Sequence, residues 1–113
     1  IDSLLGAAGL PDIGQLFPDT DPCYKDISSL RLLSDVLVRI RSKGLRVGNL
    51  DAVVVSEEVR VAPWLGQIRG RLGTELELSS DRLSVKGKTT EGLGFVGRGE
   101  GIAAFAVVTL VEA

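Results

Sequence analysis

Three segments of the chain carry apolar residues at helical spacing. In the first, which ends before the stop signals Gly9 and Pro11, the spaced residues are Ile1, Leu4, Leu5 and Ala8. The second begins at a capping serine, Ser28 or Ser29, and ends at Gly44, with the apolar stripe Leu30, Leu33, Val36, Leu37 and Ile40. The third is entered through Pro63 and carries Trp64, Leu65, Ile68, Leu72 and Leu76. The pattern therefore predicts three helices.

Runs without helical spacing predict three strands between and after these helices. The first strand extends from Leu45 to about Ser56 and the second lies in "RLSVKGK", with Leu83 and Val85 on one face. The last extends from Gly101 to Val111. Residues 11–28 show no period and predict a long loop. Because helices separate the strands, we expect an α+β fold with a mixed β-sheet and helices packed on one face.

The last predicted strand is apolar on both faces. One face carries Ile102, Ala104, Ala106, Val108 and Leu110, and the other carries Ala103, Phe105, Val107 and Val111. The helices can cover only one face of a small sheet. A second copy of the chain is favoured as the cover of the other face, so that sheets pack together in an oligomer. The alternative is a monomer covered by a segment that precedes Ile1.

Composition narrows the possible partners and sites. The 113 residues predict one domain, and a net charge of -2 argues against a nucleic acid or an anionic membrane as partner. The longest apolar run is about half of the ~20 residues that a membrane helix requires. Cys23 is the single cysteine and no histidine is present, so these residues cannot build a disulfide, a hydrolase triad or an ordinary zinc site. The start at Ile1, without Met, predicts further residues upstream.

The glycine-rich stretch "KTTEGLGFVGRGEGIAA", residues 88–104, has two interpretations. Its G-x-G-x-G spacing, followed by a strand, excludes a dinucleotide fingerprint. The hydroxyls of Thr89 and Thr90, glycine N–H groups and Arg98 could contact a phosphorylated ligand, with Glu91 on a hard divalent cation. The alternative is an ordinary hairpin-like turn. Two other loops, "DIGQLFPDTDP" and "SEEVRVAP", also have two interpretations each. The first contains common turn formers and the second contains charges that are usually solvated, but either loop could instead contact a ligand.

Three blocks in this order, "LLGAAGLPDIGQLFPDTDP", "GNLDAVVV" and "TTEGLGFVGRGEGIAA", resemble the 2-C-methyl-D-erythritol 2,4-cyclodiphosphate synthase family over essentially the whole chain. The resemblance implies cyclisation of 4-diphosphocytidyl-2-C-methyl-D-erythritol 2-phosphate with release of CMP, in the non-mevalonate isoprenoid pathway. It also implies a homotrimer with active sites between subunits, in the bacterial cytoplasm or a plastid, without nucleic-acid or membrane partners.

The resemblance implies two groups of substrate-binding residues before the glycine-rich stretch. The erythritol-binding segment corresponds to Asp12, Ile13 and Gly14, followed by a second substrate-binding loop of Phe17, Pro18, Asp19, Thr20 and Asp21. The cytidine nucleotide is expected on Ser56, Glu57, Glu58, Val59, Arg60, Val61 and Ala62. In this loop Val59 and Arg60 replace the family's usual Pro-Lys, and Arg keeps the charge but not the compact ammonium.

The glycine-rich stretch supplies the residues implied to act on phosphate. Lys88, Thr89, Thr90 and Glu91 match the family's "TTTE" with Lys88 in the first position. Thr89 corresponds to the threonine that stabilises the transition state, and Glu91 to a residue beside a second metal. Phe95 and Arg98 match substrate-contacting positions.

The family's principal metal ligands, an Asp/His set for Zn or Mn, are not in this chain, whereas Mg or Mn is implied at the diphosphate. We therefore expect a single domain over residues 1–113 that lacks its N-terminal portion. Two alternatives stay open. The chain could be a truncated, inactive trimeric module that retains cytidine-nucleotide binding, or a plain scaffold whose glycine loop is only a turn.

Overall fold

The computed structural model describes all 113 residues, which form five α-helices and three strands. In chain order these are α1 (Asp2–Ala7), α2 (Ile13–Leu16), α3 (Ser29–Ser42), β1 (Leu45–Val55), α4 (Leu65–Leu76), β2 (Leu83–Lys88), α5 (Gly94–Gly97) and β3 (Ala103–Glu112). The strands form one sheet in the order β2-β1-β3. The α+β fold with a mixed sheet, which was predicted from the sequence, is confirmed.

The chain divides into two compact units, and β1 and β3 contribute residues to both. The first unit comprises Ile1–Gly48 and Val108–Ala113. In it the Ala113 N–H donates to the Gly44 carbonyl, and Gly48 approaches the Thr109 carbonyl, so β3 runs antiparallel to β1. Its core includes Leu4, Leu5, Val36, Leu37 and Ile40.

Helix α3 confirms the predicted stripe of the first unit. Ser28 begins the helix, because its hydroxyl oxygen accepts the Leu30 N–H at 3.3 Å. Four of the five predicted stripe residues are buried, and Leu30 is half-buried. Leu32 is buried as well, although the predicted stripe omitted it. The apolar face is therefore wider than the minimal pattern, as is usual for a helix on a globular core.

The second unit is Asn49–Val107, and its central feature is the parallel pair of β1 and β2. Leu50 lies opposite Leu83 and Val55 opposite Lys88. Leu83 and Val85 are both buried, which confirms the face predicted for them. Parallel strands end at the same edge of a sheet, so the segments after Val55 and Lys88 start side by side. This edge positions the candidate site.

Three local predictions need correction. Residues 11–28 are not one irregular loop, since they contain α2 and a 3₁₀ turn at Pro22–Tyr24, elements too short for a periodic signal. The glycine-rich stretch likewise contains the one-turn helix α5. Trp64 does not belong to α4, because it lies in a 3₁₀ turn at Ala62–Trp64 and is 55% exposed. Pro63 lies in that turn, immediately before α4.

Apolar residues of β3 and the segment before it remain exposed in the single chain. The exposed fraction is 56% for Ile102, 66% for Phe105 and 73% for Val107. Phe105 and Val107 share one face of β3, and Ala104 and Ala106 on the opposite face are exposed as well, so both faces predicted to be apolar are open here. A surface of this composition favours contact with another polypeptide.

Candidate functional site

A cleft of about 380 Å³ opens where β1 and β2 end. Its lining comprises Ser56, Glu57, Val59, Arg60, Val61, Ala62, Leu65, Gly87, Lys88 and Thr89. Six of the seven residues predicted to bind the cytidine nucleotide are therefore brought together with the predicted Lys88 and Thr89. Glu58 is the exception, and Leu65 and Gly87 were not predicted.

The strand-end loop, residues 56–62, takes its shape from the sheet. Ser56 is 5% exposed, and its N–H donates to the Lys88 carbonyl at 2.9 Å, which extends the pairing of β1 and β2 by one residue. The side chain of Val61 then lies against Gly87, where an added Cβ would come within 3.3 Å of the Val61 Cβ. Gly87 has no side chain and thus lets β2 approach the loop closely. Nothing in the sequence indicated that position 87 requires glycine.

The cleft offers both apolar and cationic groups. Val59, Val61, Ala62 and Leu65 supply apolar surface, and the exposed Arg60 and Lys88 supply positive charge. A planar base with an attached phosphate combines the two requirements, since the base needs apolar surface and the phosphate needs cations.

The threonine turn, residues 89–92, follows β2 and is held by the hydroxyls of its two threonines. The Thr89 hydroxyl oxygen accepts the Glu91 N–H at 3.2 Å, and the Thr90 hydroxyl donates to the Leu93 carbonyl at 2.6 Å. Glu91 has a φ of 54° and Gly92 a φ of 79°, so the backbone curls through the left-handed region. The Thr89 hydroxyl accepts a hydrogen bond in this turn but donates none, so its proton is available to a ligand.

Glu57 connects the strand-end loop to the threonine turn. Its Oε1 accepts the N–H of Thr90 at 3.2 Å and the N–H of Gly92 at 3.1 Å. The expectation that glycine N–H groups face a phosphate is therefore wrong for Gly92, because an internal carboxylate already takes that donor. The stretch is also not a simple hairpin-like turn, since a side chain 35 residues away in sequence closes it.

Glu58, Glu91, Phe95 and Arg98 are exposed and are not among the residues that line the cleft. Arg98 Nε donates to Glu100 Oε2 at 2.8 Å, a bond that uses one of its five N–H donors. The Phe95 ring packs beside Gly101. The side chain of Glu58 covers Gly99, where an added Cβ would overlap its carboxyl group.

The predicted erythritol-binding residues all belong to the first unit, whereas every residue that lines the cleft belongs to the second. The Asp12 carboxylate accepts the Gln15 N–H at 2.9 Å and begins α2. Asp2, which was not predicted, accepts the Ile13 N–H at 2.9 Å. Gly14 and Asp19 and Thr20 are exposed, and Pro18 is half-buried. The start of the segment is thus held by one carboxylate of its own and by one from α1.

Phe17 and Asp21 also have clear structural partners in the first unit. Phe17 is 7% exposed, with Tyr24 edge-on at 5.3 Å and the Arg39 guanidinium 5.7 Å above the ring. The Cys23 N–H donates to the Asp21 carboxylate at 3.0 Å, which lowers the pKa of that carboxyl group. The same carboxylate raises the pKa of the Cys23 thiol, and a raised pKa makes the exposed thiol a poorer nucleophile.

The chain has no cluster of three or more side chains that could hold a metal ion, and it has no histidine. Its residues alone therefore do not fit a principal Asp/His metal site. The exposed Glu91 carboxylate fits a lesser role as one oxygen ligand beside a phosphate. No helix of the chain has the length and apolarity to cross a membrane.

Comparisons with known proteins find similarity over nearly the full chain. The YgbB family model matches residues 1–111. The chain is 47% identical over 112 residues to the 2-C-methyl-D-erythritol 2,4-cyclodiphosphate synthase of Caldicellulosiruptor bescii, which covers 99% of this chain and 71% of that protein.

Solved structures agree with the sequence comparison. The bifunctional IspDF from Campylobacter jejuni superposes with a TM-score of 0.93 at 38% identity, over 99% of this chain and 30% of that one. A 2C-methyl-D-erythritol-2,4-cyclodiphosphate synthase in a CDP-bound form superposes with a TM-score of 0.88 at 32% identity, over 97% of this chain and 71% of that one. The chain therefore belongs to the YgbB family, whose relatives named here are 2-C-methyl-D-erythritol 2,4-cyclodiphosphate synthases.

Proposed function

We propose that the protein converts 4-diphosphocytidyl-2-C-methyl-D-erythritol 2-phosphate to 2-C-methyl-D-erythritol 2,4-cyclodiphosphate and CMP. The observation that carries the proposal is the cleft at the shared end of β1 and β2, in a chain of this family. It joins an apolar and cationic loop to a threonine-bearing turn at one edge of the sheet. A substrate with a nucleotide at one end and a reacting diphosphate at the other needs both parts.

The reaction itself requires no protein nucleophile. An oxygen of the 2-phosphate attacks the β-phosphorus, a new P–O bond closes the ring, and the bond to the CMP oxygen breaks. Attacker and target are parts of one molecule, so correct positioning supplies much of the acceleration. The protein must also compensate the negative charge on the oxygens around the transferred phosphorus.

Thr89 and Lys88 are placed to act on that charge. Thr89 has a free hydroxyl proton at the cleft, and it is the proposed catalytic residue because it can donate to a phosphate oxygen in the transition state. Lys88 lines the same cleft and provides a compact positive charge. Thr90 shapes the turn through its bond to Leu93, so its contribution to substrate binding is through position.

The strand-end loop is the proposed site of the cytidine nucleotide. Support comes from its apolar and basic lining and from the CDP in the related bound structure. Arg60 stands where the family usually has lysine, and its guanidinium can grip a phosphate with two N–H groups. Phe95 and Arg98 are proposed to contact the substrate from the end of the glycine-rich stretch.

The family uses a divalent metal ion, which would neutralise charge on the diphosphate. We place Mg or Mn at the diphosphate with Glu91 as the one ligand from this chain, since Mg²⁺ takes few carboxylates and several phosphate oxygens. The Zn or Mn site of the family requires histidines that these residues do not include.

The homotrimer with active sites between subunits also remains a proposal. It is supported by the exposed apolar residues Ile102, Phe105 and Val107, which a neighbouring subunit would cover. The erythritol-binding role of Asp12–Gly14 and the substrate-binding role of Phe17–Asp21 belong to the same proposal. The bacterial relative named above favours the bacterial cytoplasm as the compartment.

The test is to incubate the native protein with the substrate and Mg²⁺ and to follow phosphorus NMR for the cyclic diphosphate and free CMP. Calorimetry with CMP and the divalent cation should be run in parallel. Turnover with CMP binding supports the synthase. CMP binding without turnover would indicate an inactive binding module, and the absence of both would leave only a scaffold.

A further inference from the structure

Glu57 is the one side chain that ties the strand-end loop directly to the threonine turn. Its Oε1 accepts two backbone N–H groups, from Thr90 at 3.2 Å and from Gly92 at 3.1 Å. Glu57 is half-buried and lines the cleft, next to the buried Ser56 that continues the sheet. The backbone of Glu57 is therefore held beside the sheet, and its carboxylate oxygen is held by hydrogen bonds.

We infer that Glu57 is a positioning residue, which holds the turn that carries Thr89 at a fixed place relative to the nucleotide loop. The inference deepens the proposed function and rests on it. Glu57 acts through Thr89 and does not itself touch the reacting atoms. In an intramolecular displacement, a shift of the acting groups by about 1 Å can cost roughly 100-fold in rate.

The geometry assigns the role to the position of the oxygen and not to the negative charge. Two N–H groups converge on one oxygen, and Glu91 between them has a φ of 54°, a backbone conformation that a non-glycine residue adopts reluctantly. Without an acceptor at that point the two N–H groups would lose their partner, and the turn would be free to relax.

Three variants separate the position of the oxygen from its charge. Glu57→Gln keeps an oxygen at the same reach without the charge. Glu57→Asp keeps the charge but withdraws the oxygen by one methylene group. Glu57→Leu removes the acceptor at similar size. Glu112→Gln and Glu112→Leu, at an exposed glutamate of β3, are matched controls for the chemical change.

The first measurement is amide hydrogen exchange at Thr90 and Gly92 in the native protein, followed by NMR. Exchange at both amides should be about tenfold faster in Glu57→Leu and Glu57→Asp, and close to wild type in Glu57→Gln and the Glu112 controls. This readout does not depend on turnover. If Glu57→Leu does not fold, Glu57→Asp alone decides the comparison with Glu57→Gln.

The second measurement is the kinetics of CMP release. We expect kcat to fall by roughly 10- to 100-fold in the Asp and Leu variants while KM changes by less than about threefold, with Glu57→Gln restoring most of kcat. Unchanged exchange in Glu57→Asp, or faster exchange with an unchanged kcat, would overturn the inference. A Gln variant as impaired as the Leu variant would overturn it too. If wild type released no CMP, the proposed function would fail, and the exchange data would still decide whether Glu57 holds the turn.

Discussion

At the scale of single residues, the site depends on which hydroxyl protons are free. The Thr90 hydroxyl donates to the Leu93 carbonyl, whereas the Thr89 hydroxyl oxygen only accepts, from the Glu91 N–H. Two adjacent threonines thus have different roles, one in shaping the turn and one available to a ligand. The adjacent pair in the sequence does not distinguish them, because their directions depend on the backbone of the turn.

Replacing Thr89 with alanine is expected to lower kcat for CMP release by roughly 100-fold, since it removes a donor to charge that develops in the transition state. The affinity for CMP in calorimetry should change much less. Thr74→Ala is the matched control, because the Thr74 hydroxyl donates only within α4, to the Gly70 carbonyl. Unchanged turnover in Thr89→Ala would show that the assigned role is wrong.

Asp81 provides a pH test of local structure. A hydrogen bond from the Ser79 hydroxyl lowers the pKa of the Asp81 carboxyl group, so folding favours its ionised form. The resulting stabilisation is present above the ordinary aspartate pKa and is lost as the pH falls through the lower pKa of the folded state. Ser79→Ala should therefore be less stable than wild type at about pH 6, and the difference should shrink below about pH 4.

Urea unfolding at about pH 6 and below about pH 4 measures the difference in stability between Ser79→Ala and wild type. Ser84→Ala, at an exposed serine of β2, is the control, and its stability relative to wild type should not depend on pH in this range. A Ser79→Ala deficit that stays constant down to about pH 2.5 would contradict the assignment.

At the scale of elements, the glycine-rich stretch folds back on itself at α5. A Cβ at Gly97 would overlap the backbone carbonyl of Gly92, the residue whose N–H Glu57 accepts. Helix α5 and the threonine turn therefore pack backbone to backbone, which only glycine permits. Gly97 thus serves the close packing of two backbone segments.

Gly97→Ala should destabilise the protein by about 1–3 kcal/mol, because backbone atoms cannot move aside as a flexible side chain can. It should also lower CMP release, since the displaced Gly92 belongs to the threonine turn, which carries Thr89. Gly70→Ala is the matched control, as nothing lies within 4 Å of its added Cβ in α4. That variant should gain up to about 1 kcal/mol. Urea unfolding compares Gly97→Ala with Gly70→Ala. Equal stability of the two variants would show that Gly97 is not needed for close packing against Gly92.

At the scale of the whole molecule, the exposed apolar residues of β3 bear on assembly. Phe105 and Val107 are among the most exposed large apolar side chains of the chain. Light scattering coupled to size exclusion should give three times the mass of one chain. Phe105→Arg should shift the protein towards smaller species, because a buried unpaired charge opposes association.

Val38→Arg is the control for this experiment, since Val38 is also exposed, at 61%, but lies on α3. The Val38 variant should retain the mass of wild type. A monomer in the unmodified protein, or an assembly that tolerates Phe105→Arg as readily as Val38→Arg, would count against the trimer through β3.

The sequence by itself determined the long elements and the location of the chemistry. We predicted the helical stripe of α3, the buried face of β2 and the two apolar faces of β3. Each of these features shows in the sequence as a spacing of apolar residues that repeats along the element. The loop after β1 and the start of the turn after β2 were also predicted to carry ligand contacts, and they line one cleft.

Tertiary structure decided how those segments meet. Glu57 closes the turn at Gly92 across 35 residues of sequence, and Gly87 and Gly97 admit close neighbours that no local pattern reveals. The one-turn helices α2 and α5 are too short to show a period, and contacts within their loops stabilise them. Apolar periodicity records which side of an element is buried, whereas the partner of a single polar atom is set only by the path of the folded backbone.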